Sequence, residues 1–211
     1  MTSSAIRRIA AGVAAALLLV TSASCDDGPT ALKTGQLSLR LTDAPGDVSK
    51  AVVTIDQIYL QADSSDDNGR IVLRNEDITV DLLTLQDSLM AIMDSVDIPV
   101  GTYRQLRFVI SGGYVEVIAA DTTLRVIYAS SPTYAGLPVG AVVTGELQMP
   151  SFAQSGLKVL IAGNALQINE DESTTLVVDF DVSQSFGKLA GSSNRWVMSP
   201  VINATKLAPQ M

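Results

Sequence analysis

The chain has no histidine and only one cysteine, Cys25, and aromatic residues make up 5% of its 211 positions. The lack of histidine removes the commonest general base, the usual zinc ligand, and any serine–histidine or cysteine–histidine nucleophile. A single cysteine also excludes a disulfide within the chain. The missing residues exclude several classes of enzyme, and no motif in the sequence gives comparable support for another class. We therefore expect a protein that is not an enzyme.

Positive charge is also scarce. Lysine and arginine number 14 against 22 aspartates and glutamates, which gives a formal net charge of −8. An acidic domain repels phosphate backbones and anionic lipid headgroups. We therefore expect no nucleic-acid partner, and any association with a membrane has to come from a lipid anchor.

The chain also lacks an apolar run of the roughly 20 residues needed to cross a bilayer. Its longest run, Ile9–Val20, follows two arginines and precedes small residues and then Cys25. That order is typical of a signal peptide and its cleavage site. A cysteine at the cut resembles the bacterial lipobox, although a serine stands where a large aliphatic residue is usual. We expect residues 1–24 to be a signal peptide and Cys25 to be lipidated; an ordinary secreted protein is the alternative.

Residues 25–35 are then the lipidated cysteine and a short polar tether. Asp26 and Asp27 directly follow the cysteine. Acidic residues at this place resemble an inner-membrane retention signal in some bacteria and a surface-export signal in others. We expect an extracytoplasmic lipoprotein, at the outer membrane or cell surface in preference to the inner membrane.

From residue 36 onward the hydropathy pattern has a period of two, as in Leu37, Leu39 and Leu41, which alternate with polar residues. The apolar face of the next segment switches at Asp56-Gln57, which predicts a β-bulge. About ten short strand candidates with turn residues between them predict an all-β fold, an antiparallel sandwich of the transthyretin or immunoglobulin type. We expect residues 36–207 to form this single domain.

One stretch fits the strand pattern poorly. Its apolar residues lie at helical spacing, so a short helix within Thr84–Val96 is an open alternative to a strand. By contrast, the Pro99–Tyr103 segment resembles the turn into a strand of transthyretin-like sandwiches. There we expect the Tyr103 hydroxyl to bond back to the backbone, as in a tyrosine corner.

Several segments, taken in order, carry a resemblance to a known family. The chain resembles the bacterial envelope lipoprotein family catalogued as domain of unknown function 4382. The resemblance implies a secreted, lipid-anchored β-sandwich, and it brings no activity and no catalytic residues with it. The segments are Leu37–Asp47, Val53–Leu60, Val80–Leu85, Ile98–Phe108, Leu147–Lys158, Val178–Phe186 and Ser199–Ile202.

Three aspartates are candidate calcium ligands. Asp179 and Asp181 flank Phe180, and the two-residue period puts both carboxylates on one face of a strand. The candidate third arm is Asp47 or Asp43, and Asp43 can also accept backbone N–H groups at a turn. Calcium takes six to eight oxygens, so the alternative is that the carboxylates face water or pair with arginines of a neighbouring strand. Those arginines are Arg40, Arg104 and Arg107.

Two serine–lysine pairs, Ser155/Lys158 and Ser185/Lys188, match the spacing of penicillin-recognising enzymes. That chemistry needs a helix to place both side chains on one face. Both segments contain an internal glycine and sit at strand ends, so we interpret them as structural.

These features together predict that the protein is a lipid-anchored binding or structural component of the bacterial cell envelope, with a protein or glycan partner at the cell surface. One alternative is a pilus or adhesin subunit that assembles by strand addition, which an unpaired first or last strand favours. The other is a metal-assisted hydrolase that uses carboxylates alone, which a pocket with converging carboxylates favours.

Overall fold

The computed structural model describes residues 32–44, 48–62, 69–118, 123–149, 155–186 and 194–207. The fold is all-β, as expected. Helical structure in the described ranges is limited to the four-residue helix α1 (Val182–Ser185), two 3₁₀ turns, and single helical residues at Gly69 and Ser155. The strands there are β1 Thr34–Ala44, β2 Lys50–Ala62, β3 Arg70–Arg74, β4 Ile78–Asp81, β5 Met90–Pro99, β6 Gly101–Ile118, β7 Arg125–Ala129, β8 Val143–Gln148, β9 Leu157–Ile161, β10 Leu166–Ile168, β11 Ser173–Asp181, β12 Arg195–Val197 and β13 Ile202–Lys206.

The strands form a folded sheet with two layers. One layer runs β5-β1-β11-β13-β9, and the other runs from β3 and β4 through β2 and β6 to β7, β8 and β12, with β10 beside β6. Strand β9 pairs with both β13 and β6 and so joins the layers at one side. Most pairs are antiparallel, as expected, but β1–β11, β13–β9, β7–β8 and β8–β12 are parallel, so the sheet is mixed.

The core lies between the layers and follows the two-residue period. Leu37, Leu39 and Leu41 of β1 are fully buried, and Val178 and Phe180 of β11 lie beside them. Burying a side chain of this size contributes roughly 1.5–3 kcal/mol. The alternating apolar residues that predicted the strands are therefore the same residues that pack between the two layers and stabilise them.

The short helix considered for Thr84–Val96 is not there. A 3₁₀ turn covers Leu82–Leu85, and strand β5 begins at Met90. Strand β5 pairs with β1 and contains a register shift, which turns the consecutive residues Ile92 and Met93 both toward the core. Because the bulge interrupts the alternation, the apolar residues of this strand have a spacing in the sequence that resembles the spacing in a helix.

Two local predictions are confirmed. Strand β2 shifts register against β6 between Ile55 and Gln57, so Asp56 is the extra residue of a bulge. The hydroxyl of Tyr103 donates a hydrogen bond to the carbonyl of Pro99 at 2.8 Å, which is the expected return to the backbone.

The segment between β7 and β8 covers part of the outer face of the second layer. The hydroxyl of Tyr134 lies 2.5 Å from that of Thr54, which lies 2.8 Å from that of Thr79. The Tyr134 ring packs directly on Gly112, where a Cβ atom would come within 2.6 Å of the ring. Glycine is needed there because the ring approaches the backbone so closely.

Candidate functional site

The three candidate calcium ligands lie at the paired ends of β1 and β11, which we call the acidic strand end (Asp43, Asp179 and Asp181). Asp43 stands opposite Phe180 and shares its core-facing side, whereas Asp179 stands opposite Thr42 on the outer side. The register of the parallel pair puts Asp43 and Asp179 on opposite faces, so the structure does not bring these two carboxylates together, and Asp47 lies outside the described residues. No group of three acidic, cysteine or histidine side chains in the described ranges is placed to hold a metal ion.

Asp43 holds two elements together. Its side chain is buried, with 5% exposure, and Oδ1 accepts the backbone N–H of Val182 at 3.1 Å. The expectation that Asp43 accepts a backbone N–H is confirmed, but the donor is the first residue of α1 instead of a neighbour in its own turn. Asp43 thus ties the start of α1 to the end of β1.

Asp181 caps α1. Its Oδ1 accepts the backbone N–H of Gln184 at 3.0 Å and the hydroxyl of Ser183 at 2.7 Å. Burial acts to raise the pKa of Asp181, but the hydrogen bonds from Ser183 and Gln184 outweigh it and hold the pKa below its usual value. The carboxylate is stabilised in its charged form by atoms within three residues of it.

Asp179 is placed less favourably. Its Oδ1 is buried and makes no hydrogen bond within the described part of the chain. Burial, and then the charge of Asp181, raise the pKa of Asp179. Neither Asp179 nor Asp181 forms an ion pair with an arginine in the described ranges. The arginine partners considered from the sequence are therefore not found there.

A second charged region lies on the strands that join the two layers. A pocket of about 260 Å³ is lined by residues of β6, of β9 and of the turn that follows β9. None of the residues that line it is acidic. We call it the basic pocket, and it is lined by Arg104, Gln105, Lys158, Val159, Leu160, Ile161 and Asn164.

A bulge in β6 shapes one wall of the basic pocket. Gln105 pairs with Gln61 and Tyr103 pairs with Ala62, so Arg104 has no opposite residue on β2. Successive residues of a regular strand point to opposite faces, but here Arg104 and its neighbour Gln105 both line the pocket. Bulges commonly redirect side chains in this way next to functional sites.

The opposite wall carries an uncompensated positive charge. Lys158 pairs in register with Arg107, and like charges directly opposite each other destabilise a sheet. The Arg107 guanidinium donates to Gln105 Oε1 at 3.0 and 2.7 Å and to the carbonyls of Ser155 and Gly156. The side-chain ammonium of Lys158 makes no hydrogen bond and no ion pair with any residue of the described ranges.

The structure describes both members of only the first serine–lysine pair, and it does not place them on one helix. Ser155 is a helical residue that precedes β9, and Lys158 lies in β9, so the two side chains do not project from one helix. Ser185 is fully buried, and its hydroxyl accepts the backbone N–H of Val201. Lys188 lies outside the described residues. Sequence reasoning thus singled out Lys158 for its distance from a serine and missed its position opposite Arg107.

A groove of about 450 Å³ runs along the open side of the sheet, between β3 and β5. We call it the open seam, and its lining includes Leu73, Arg74 and Met93. Arg74 reaches across it and donates to the carbonyl of Ile92 at 3.3 Å. The first and last strands, β1 and β13, are each paired on both sides.

The single tryptophan does not offer a stacking platform. Trp196 is half-buried, with its ring centroid 5.3 Å from that of Tyr128, and its indole N–H donates to the carbonyl of Phe186. Cys25, Asp26 and Asp27 lie outside the described residues. Within the described ranges, the structure has no helix with the length and apolarity needed to span a membrane.

The strands of the described ranges form an all-β domain with a mixed sheet. The family model described as "Domain of unknown function (DUF4382)" matches residues 34–200, so the chain belongs to this family, as the sequence resemblance indicated. No curated protein and no solved structure matches the chain.

Proposed function

We propose that this protein is a lipid-anchored, extracytoplasmic component of the bacterial cell envelope that binds a ligand or partner and catalyses no reaction. The observation that carries the proposal is the order at the N-terminus: two arginines, the apolar run Ile9–Val20, small residues and Cys25. A lone cysteine at this place is explained by acylation and is otherwise an unexplained free thiol.

The arrangement of the domain supports this role. Strand β1 begins at Thr34, so only residues 26–33 stand between Cys25 and the first strand in the sequence. The chain as a whole has a net charge of −8, which disfavours contact with anionic headgroups, so the acyl chains would supply the attachment. The absence of histidine from the sequence supports a binding role over a catalytic one.

Cell fractionation tests the anchor. We expect Cys25→Ser to release the protein from the membrane fraction, because each buried methylene of an acyl chain contributes about 0.8 kcal/mol to membrane binding. Ser24→Ala keeps both the cysteine and a small residue at the cleavage site, and it should stay in the membrane. Retention of the Cys25→Ser protein in the pellet after a high-salt wash would show that lipidation is not the anchor.

The alternative of a subunit that assembles by strand addition ranks second. The outer edge of β5, a ten-residue strand, has no partner strand in the described ranges, which favours this alternative. However, β1 and β13 are both paired on each side, so neither terminal strand offers the open position that such assembly uses. The carboxylate-only hydrolase receives no support from the acidic strand end, where Asp43 and Asp179 face opposite ways.

A further inference from the structure

We propose that the basic pocket binds an oxyanion, a carboxylate or phosphate carried on a ligand about the size of one sugar residue. The proposal names the ligand class for the binding role proposed above. It does not need the lipid anchor, so the two can fail separately.

The charge of the pocket is the first reason. In a chain of net charge −8, a pocket lined by Arg104 and Lys158 and by no acidic residue is an exception. Lys158 has no partner in the described ranges and stands opposite a second cation, Arg107. An anion next to Lys158 would offset this repulsion, because cation–oxyanion hydrogen bonds are among the stronger ones that proteins make.

The second reason is the orientation of the uncharged N–H donors of Gln105. The Gln105 amide is held by its oxygen, which accepts two hydrogen bonds from Arg107. Its Nε2 makes no hydrogen bond in the described ranges, so the N–H donors of this pocket residue are available to a ligand. Arg107 therefore acts as a positioning residue that orients the Gln105 donors without lining the pocket itself.

The shape of the pocket limits the ligand. A volume of about 260 Å³ lies just below the usual range for drug-sized ligands, which begins near 300 Å³. Leu160 is 55% exposed and forms an apolar part of the wall. Asn164, which follows β9, also lines the pocket and has a left-handed backbone with a φ of 64°. An oxyanion joined to a small CH-rich ring fits these features.

The test uses the full chain in a non-ionic detergent, with calorimetric titration at constant ionic strength. The probes are inorganic phosphate and galacturonate, and galactose serves as the uncharged control. We expect at least one of the two anions to bind and galactose not to bind. Binding of phosphate alone assigns a phosphate-bearing ligand, and binding of galacturonate alone assigns a carboxylate-bearing sugar.

Three variants locate the binding. Lys158→Gln and Arg104→Gln should each weaken it about tenfold or more, because each removes a charged hydrogen-bond donor. Lys50→Gln makes the same change of charge near the opposite end of β6, where Lys50 pairs with Glu116, and should leave the affinity unchanged. The proposal is overturned if neither anion binds, or if Lys50→Gln weakens binding as much as Lys158→Gln does. Either result leaves the anchor at Cys25 untouched.

Discussion

The acidic strand end and the basic pocket both concentrate charge, and they differ in how much of that charge is hydrogen-bonded within the protein. At the acidic strand end, Asp43 and Asp181 each accept a backbone N–H at the start of α1. In the basic pocket, Arg104 and Lys158 come from strands that are far apart in the sequence, and Lys158 finds no partner in the described ranges.

This difference separates a structural role from a binding role. A carboxylate that accepts backbone N–H groups stabilises a strand end or a short helix, and its acceptor capacity is used by the protein itself. A cation that the fold places opposite another cation costs stability and leaves its donors available. On this basis Asp43 and Asp181 of the acidic strand end belong to the framework, and the basic pocket is the better candidate for ligand binding.

The largest effect is expected at Asp43. Asp43→Ala leaves the Val182 N–H without its acceptor in a buried position, and we expect a loss of about 2 kcal/mol in the free energy of unfolding. Urea denaturation followed by circular dichroism measures it. Asp43→Asn retains an acceptor oxygen and should cost less. An alanine variant as stable as the wild type would remove Asp43 from the framework.

A smaller loss is expected at Asp181. Asp181→Ala removes the cap of α1 and should cost about 1 kcal/mol, whereas Asp181→Ser keeps a capping oxygen and should cost less. Because the pKa of Asp181 is lowered in the folded state, its contribution is present above the unfolded pKa of about 3.9 and is lost as the pH falls through the folded value. Equal losses in both variants would contradict the capping role.

The smallest effect, of opposite sign, is expected at Asp179. Burial raises its pKa, so the charged form disfavours the folded state at neutral pH. Asp179→Asn should therefore raise the free energy of unfolding by less than about 1 kcal/mol at pH 7. The protonated form of Asp179 carries no such unfavourable charge. Its contribution to the stability of the folded state is therefore fully present below the unfolded pKa and is lost as the pH rises through the raised folded pKa.

Unfolding curves at pH 7 and near pH 4 check the sign, since the advantage of Asp179→Asn should shrink in acid. Asp94→Asn, at an exposed position of β5, is the matched control and should have little effect at either pH. If Asp179→Asn is destabilising at pH 7, then the Asp179 carboxylate has a stabilising partner and the comparison of the two aspartates on β11 fails.

Strand content and the core were readable from the sequence because alternation of apolar residues reports directly on burial. Leu37, Leu39 and Leu41 show it, and the bulge at Asp56 was visible as a change of phase in the same pattern. The stretch now known as β5 was ambiguous because its own bulge turns Ile92 and Met93 to the same side. Local chemistry, as in the Tyr103 hydrogen bond to Pro99, was also predictable, since both residues lie in one turn.

The sequence by itself determined the all-β class, the core-facing residues and the N-terminal order that ends in Cys25, because these depend on periodicity and on neighbours along the chain. Tertiary structure alone decided that β1 and β11 are parallel and that Asp43 faces away from Asp179. It also decided that Lys158 lies opposite Arg107 beside a bulge at Arg104. Register between distant strands has no signature in either strand separately, because it is chosen by how the two layers pack.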